Sequence, residues 1–333
     1  MVAIAPFVSC KKDVPPTPTP PPEVADTVQL KIRPSSIAGP SVIAVSPTSE
    51  TADIVMLKYS LTALNGDINL QKLPIDFVCS GATEQIIDHA TLVAGGEILD
   101  DALPHGNTVL FNNIDFDLTE GDAVTFTVLV TLRKSFGNYA ENTTVRPSID
   151  VSGIKAEDMN GDNISDENIK GTAVGNTYTL LSEGVVVRTI STNTTSEGAT
   201  IRINIVLGVS AFGDDQYIGK RAILGETITD TAGFAWVLED GLQPDIPISA
   251  SIVAEAVVTT NAVEFPTTYK IEDGTTKQFT ISVTLTGVPT PGNLYRLRVV
   301  LLKLFTNHEQ IGSGTVQTLI PFNEYRGEYF RFN

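Results

Sequence analysis

Oxygen-bearing side chains at alternate positions mark one stretch of this 333-residue chain that has the spacing of a cation loop. Asp158, Asn160, Asp162 and Asp166 stand at loop positions 1, 3, 5 and 9, and Ile164 at position 7 can offer its backbone carbonyl. Calcium takes several such oxygens at once. These five residues are therefore the candidate ligands of a structural Ca2+, the alternative being a solvated acidic linker. The loop departs from an EF-hand in that position 6 is Asn163 and position 12 is Ile169, so the bidentate acid is missing.

Other chemistry is sparse. His89, His105 and His308 sit in unrelated contexts, with no His four residues from another. No Gly-x-Ser-x-Gly elbow, Walker loop or Cys-x-x-Cys pair occurs. A pair of acids far apart in the chain remains the one enzymatic alternative. The chain is expected not to be an enzyme. Of the two cysteines, Cys79 shares a strand face with Ile75 and Phe77, which suits an inert core thiol; pairing with Cys10 is the alternative.

The elements that must position these residues read as strands. Val28, Leu30 and Ile32 alternate with polar neighbours, as do Phe126 to Leu132, Ile201 to Val209, Phe279 to Leu285 and Tyr295 to Leu301. Period-2 alternation sends one set inward and one outward. Asn65-Gly66, Glu120-Gly121, Asp240-Gly241 and Asp273-Gly274 punctuate the runs, and Gly and Asn accept positive φ. The expected fold is all-β: two tandem antiparallel sandwiches with Greek-key-like connections. The boundary falls near Leu181–Gly184, giving sandwiches at 27–181 and 182–333, the second opening on a fresh strand from Val185 to Thr189. Glu120-Gly121 before Phe126-Thr127-Val128 matches Asp273-Gly274 before Phe279-Thr280-Ile281, which points to an internal duplication.

The composition is 42% hydrophobic and 18% charged, with a net charge of −17. That charge argues against nucleic acid and against an electrostatic grip on anionic lipid. No apolar run of eighteen residues occurs.

Val8-Ser9-Cys10, followed by Lys11-Lys12-Asp13 and a run from Pro15 to Pro22 with six prolines in eight residues, resembles the lipobox of bacterial lipoproteins. The resemblance implies that residues 1–9 are a signal remnant, that Cys10 carries the lipid, and that residues 10–26 are anchor and linker at an outer-membrane or cell-surface location. Met1 to Pro6 contain no basic residue, so Met1 is read as a late start inside a longer signal, or the chain as a shortened form. The eight-residue proline run would extend roughly 25 Å as polyproline II. The stretches Leu61 to Leu73 and Leu118 to Thr131 are similar to Ig-like domains of large bacterial surface proteins, with an Asn-Gly-Asp hairpin after the leading strand. That resemblance implies a structural or adhesive module without catalytic residues.

Together these expectations describe a lipid-anchored, non-catalytic surface protein that forms filaments or adheres, with other copies, surface proteins or glycans as partners. Val28, Leu30 and Ile32 at one end, and Tyr329, Phe330 and Phe332 at the other, either complete their own sandwich or pair with a neighbour by strand addition. The alternative is a carbohydrate- or ligand-binding lipoprotein of an uptake system, which would need clustered exposed aromatics.

Overall fold

The structure, a computed structural model, describes residues 27–333 except 38, 40, 199, 230, 242, 248–252, 287–293, 310–313, 321 and 332–333. Cys10, the proline run and Phe332 lie outside the described residues.

The first half contains β1 (Gln29–Pro34), β2 (Thr51–Leu64), β3 (Ile68–Cys79), β4 (Ile87–Ala94), β5 (Glu97–Ala102), β6 (Phe116–Leu118), β7 (Ala123–Leu132), β8 (Thr143–Ile149) and β9 (Ile169–Lys170), with shorter strands between. One sheet runs β9-β1-β2-β7-β4-β5, and the facing sheet is built around β3, which pairs with β6 and β8. The alternating residues Leu30, Ile32, Leu61, Phe126, Val128 and Val130 fill the space between. Burying such side chains contributes about 1.5–3 kcal/mol each.

The second half contains β10 (Gly184–Glu197), β11 (Thr200–Phe212), β12 (Gln216–Gly219), β13 (Ala232–Asp240), β14 (Val253–Thr260), β15 (Thr268–Ile271), β16 (Thr276–Thr286), β17 (Leu294–Phe305) and β18 (Phe330–Arg331). One sheet runs β10-β11-β16-β14; the other includes β13-β17-β12-β15. Its core is separate from the first and includes Ile201, Ile203, Ile205, Trp236, Phe279 and Leu297. None of the sheets closes into a barrel; the architecture is β-sandwich throughout.

The two halves share one topology. The order β1-β2-β7-β4 is repeated as β10-β11-β16-β14, with every pairing antiparallel. In the facing sheets β3 pairs with β6 and β8, as β12 pairs with β15 and β17.

The Asn65-Gly66 signal does not make the expected hairpin. Asn65 (φ 62°) and Gly66 (φ 146°) carry the chain from β2 in one sheet to β3 in the other, so the link is an arch across the core. Positive φ is required by either turn, which is why sequence alone does not separate them. Asp240-Gly241, by contrast, joins β13 to a strand that pairs back on it.

The same arch-to-arch contact recurs. Gly121 (φ 81°) donates its N–H to the Ala63 carbonyl at 2.9 Å, and Gly274 (φ 69°) donates to Ala211 at 3.1 Å. The residue before each glycine donates to an acid on the other arch: Glu120 N–H to Asp67 Oδ1 at 2.7 Å, and Asp273 N–H to Asp215 Oδ1 at 3.0 Å. Each sandwich is thereby clasped at the corner where both its long strands cross sheets.

Candidate functional site

The acidic loop is held by its own first residue. Asp158 ends a short strand, Lys155–Asp158, that pairs with β3. Its Oδ1 accepts the backbone N–H of Asn160 at 2.8 Å and of Asp162 at 3.0 Å. These bonds, that from Asp162 foremost, hold the Asp158 carboxyl below the usual carboxylate range. Ile164 donates its N–H to the Ala156 carbonyl, and Asp166 begins a single 3-10 turn. Among the described residues no three His, Cys, Asp or Glu side chains are gathered as a metal cluster.

Both terminal strands complete sheets of their own chain. Leu30 and Ile32 are buried in the first core, and β1 is paired on one side by β2 and on the other by β9; Val28 packs against the same core. At the other end β18 pairs with Leu294 and Tyr295 of β17. Phe330 is buried against Tyr295, and half-exposed Tyr329 carries the Arg296 guanidinium 4.9 Å from its ring centre.

The segment before β18 is anchored by one carboxylate. Glu239 of β13 has no exposed surface, and it accepts from Arg296 at 2.9 Å, Arg298 at 2.6 Å and Arg326 at 2.9 Å. Arg298 also lies 3.9 Å from the Phe322 ring centre. A carboxylate with three guanidinium partners in so dry a place is a structural lock, since each ion would otherwise bear a large desolvation cost.

The three histidines stand apart. His89 Nδ1 lies 2.9 Å from Asp88, and its Nε2 has Asp101 at 3.9 Å. Nε2 thus faces a second carboxylate; Thr91 donates to that same Asp101, which leaves its hydroxyl oxygen 3.0 Å from the acid and not activated by the imidazole. His105 is exposed on a short hairpin. Cys79 is half-buried at the end of β3, and burial pushes its thiol up.

His308 belongs to a cluster that sequence reading did not single out. Its ring stacks on Phe265 at 4.7 Å, and Tyr217 stands 6.0 Å from Phe265 and 6.1 Å from His308. All three are half-buried. They come from β12, from the turn before β15 and from the loop after β17, so no local spacing announces them. Lys270 of β15, opposite Tyr217, lies 2.5 Å from Asp215, which immediately precedes β12.

Between the sandwiches runs an open cleft of about 500 Å³, lined among others by Ser41, Glu141, Ser182, Glu183, Gln216 and Phe305. Glu141 accepts the Ser182 N–H at 3.0 Å and also its hydroxyl, while the Ser41 N–H reaches Ile320 at 3.0 Å. The Glu141–Ser182 and Ser41–Ile320 bonds link the two halves across the cleft, while Gln216 bonds to Glu183 and Asp214 within the second half.

Neither a family model nor a curated protein matches the chain. Among solved structures it is similar to a chain described as an anti-sigma factor domain-containing protein, at 8% identity, covering 90% of this chain and 98% of that one. The TM-score is 0.20, and at that value the likeness carries no argument.

Proposed function

We propose that this chain is a non-catalytic structural or adhesive protein of the cell surface, lipid-anchored through Cys10, whose subunits associate through sheet edges. The observation that carries the reading is the duplication. One strand order and one corner clasp are built twice in tandem, with polar bonds across the joint. A tandem pair of sandwiches presents long strand edges, of which β10 is one. Such edges are templates for strand addition. Fold alone does not assign function. Here the support is the repetition, the acidic surface and the lipobox-like start together.

Because β1 and β18 are already paired within the chain, assembly through Val28, Leu30 and Ile32 or through Tyr329 and Phe330 proceeds by exchange of those strands between copies. Treatment of intact cells with protease tests the surface location. The reading expects fragments of residues 27–333 to be released without lysis, and an N-terminal peptide beginning at lipidated Cys10. A chain protected until lysis, or a peptide running unmodified through Ser9-Cys10, overturns it.

A second reading, a glycan-binding surface protein, is favoured by the Tyr217, Phe265 and His308 cluster. Half-exposed rings beside an ion pair suit the apolar face and hydroxyls of a sugar. Glycan-array binding that Phe265→Ala abolishes selects this reading over a purely structural one.

A further inference from the structure

We propose that the outer edge of β10, from Ile190 to Glu197, pairs antiparallel with the same edge of a second copy of this chain, about a twofold axis at Asn193. The inference deepens the assembly reading above and rests on it.

The duplicated topology shows what is unusual at this edge. β1, the counterpart of β10, has its outer side covered by β9, with Leu30 opposite Ile169 and Lys31 opposite Lys170. β10 ends its sheet, and among the described residues no strand pairs with its outer side, although residues 42–44 of the first half pack near its start beside Val186 and Arg188. The C-terminal segment covers only its first part. There the Tyr325 hydroxyl donates to the Val187 carbonyl at 2.9 Å, and Thr189 Oγ1 donates to the Glu324 carbonyl. Beyond Thr189 the edge is open.

Open edges are normally blunted by shortness, charge, proline or bulges. This one is a 14-residue strand, and Thr189 to Ser196 contain no charge, no Pro and no Gly. It carries one irregularity, an extra residue at Ile190 between Thr189, opposite Leu207, and Ser191, opposite Val206. In a chain of net charge −17 an uncharged strand is the place where two copies approach with least repulsion.

The register follows from faces. Thr192, Thr194 and Ser196 stand opposite Ile205, Ile203 and Ile201, whose side chains are core, so all three share the inner face, Thr192 and Thr194 half-buried and Ser196 exposed. Antiparallel partners must share a face. An axis at Asn193 sets Thr192 opposite Thr194 of the second copy and Ser191 opposite its Thr195. Past the extra residue the register drops by one, which sets Arg188 opposite Glu197 of the second copy at both ends.

Two independent observations agree with that register. Thr194 Oγ1 is buried with no hydrogen-bond partner among the described residues, and Thr–Thr pairs across strands are favourable neighbours that exchange hydrogen bonds. Arg188 and Glu197 are the only charges in β10, both exposed, and no ion pair engages either among the described residues. Self-pairing brings opposite charges together twice.

Charge reversal with rescue tests this on the full chain, by sedimentation velocity over a range of concentrations. Arg188→Glu and Glu197→Arg are each expected to weaken self-association by about tenfold, as two like-charge pairs replace two ion pairs. The double variant is expected to restore it. Thermal midpoints should stay within a degree or two, since both side chains are exposed. If the unaltered chain associates but neither reversal weakens it, or the double variant stays weakened, this edge is not the interface, although the assembly reading survives. If the unaltered chain is monomeric throughout, the inference and the assembly reading both fall, and the edge belongs to another occupant.

Discussion

Asp215 accepts the backbone N–H of Asp273 at 3.0 Å, one arch clasping another, and Asp67 does the same to Glu120 at 2.7 Å in the first sandwich. In each half the bond ties the two places where the chain changes sheet. Asp67→Ala, which leaves the Glu120 N–H without that acceptor, is expected to cost about 1 kcal/mol. Urea unfolding followed on the first half measures it; an unchanged midpoint would show that water serves the arch as well as Asp67.

Asp215 adds a pH dependence. The hydrogen bond from Lys270, and next that from Asp273, hold its carboxyl below the usual carboxylate range. A carboxyl whose pKa is depressed in the folded state stabilises fully above its unfolded value of about 3.9 and loses that contribution as pH falls through the folded value. Asp215→Asn is therefore expected to lower stability at pH 7 and to lose less on acidification than the unaltered chain. Parallel stability curves from pH 6 to 3 would contradict the clasp.

Glu239 gathers three guanidinium groups of the second sandwich on one buried carboxylate. Removing it leaves Arg296, Arg298 and Arg326 without the carboxylate they share. Glu239→Gln is expected to destabilise by about 3–5 kcal/mol and to release the C-terminal segment first. Hydrogen exchange at 322–331 reads the release. Protection there equal to that of the unaltered chain would mean that the aromatic contacts of Phe322 and Tyr329 suffice.

Tyr59 predicts a gain. Its ring stacks on Phe126 at 5.6 Å, and its hydroxyl is buried with no partner among the described residues. Tyr59→Phe keeps the ring and removes the desolvated group, so stability is expected to be unchanged or to rise by up to about 1 kcal/mol. A loss above that would reveal a hydrogen bond to water.

The acidic loop separates two chemistries cleanly. With Asp158 accepting from Asn160 and Asp162, the turn has hydrogen bonds of its own. Asp158→Ala is expected to lower the thermal midpoint in chelator as well as in calcium, because those bonds are lost in both. A midpoint that rises with calcium in the unaltered chain, and only there, assigns the loop to Ca2+.

Much of this fold was legible because apolar residues alternate so regularly. Leu30 and Ile32, Phe126 to Leu132 and Ile201 to Val209 all lie in strands facing a core. The duplication was visible at Glu120-Gly121 and Asp273-Gly274 because those glycines carry the repeated positive φ. At Asn65-Gly66 the sequence does not distinguish an arch from a hairpin, because local backbone demand is the same in both. Alternation predicts a strand only from Val185 to Thr189, and the structure extends it to Glu197. Its extra residue at Ile190 breaks the period, and hydroxyls at 192, 194 and 196 take the inward positions where alternation looks for apolar groups. The Tyr217, Phe265 and His308 cluster joins three distant segments, which periodicity does not relate.

The measurement that bears most directly on the central claim is the association state of the full chain, by sedimentation velocity from low to high concentration. The account predicts concentration-dependent growth from monomer to dimer and larger assemblies, with the fold intact. A single monomer boundary at every concentration would contradict it.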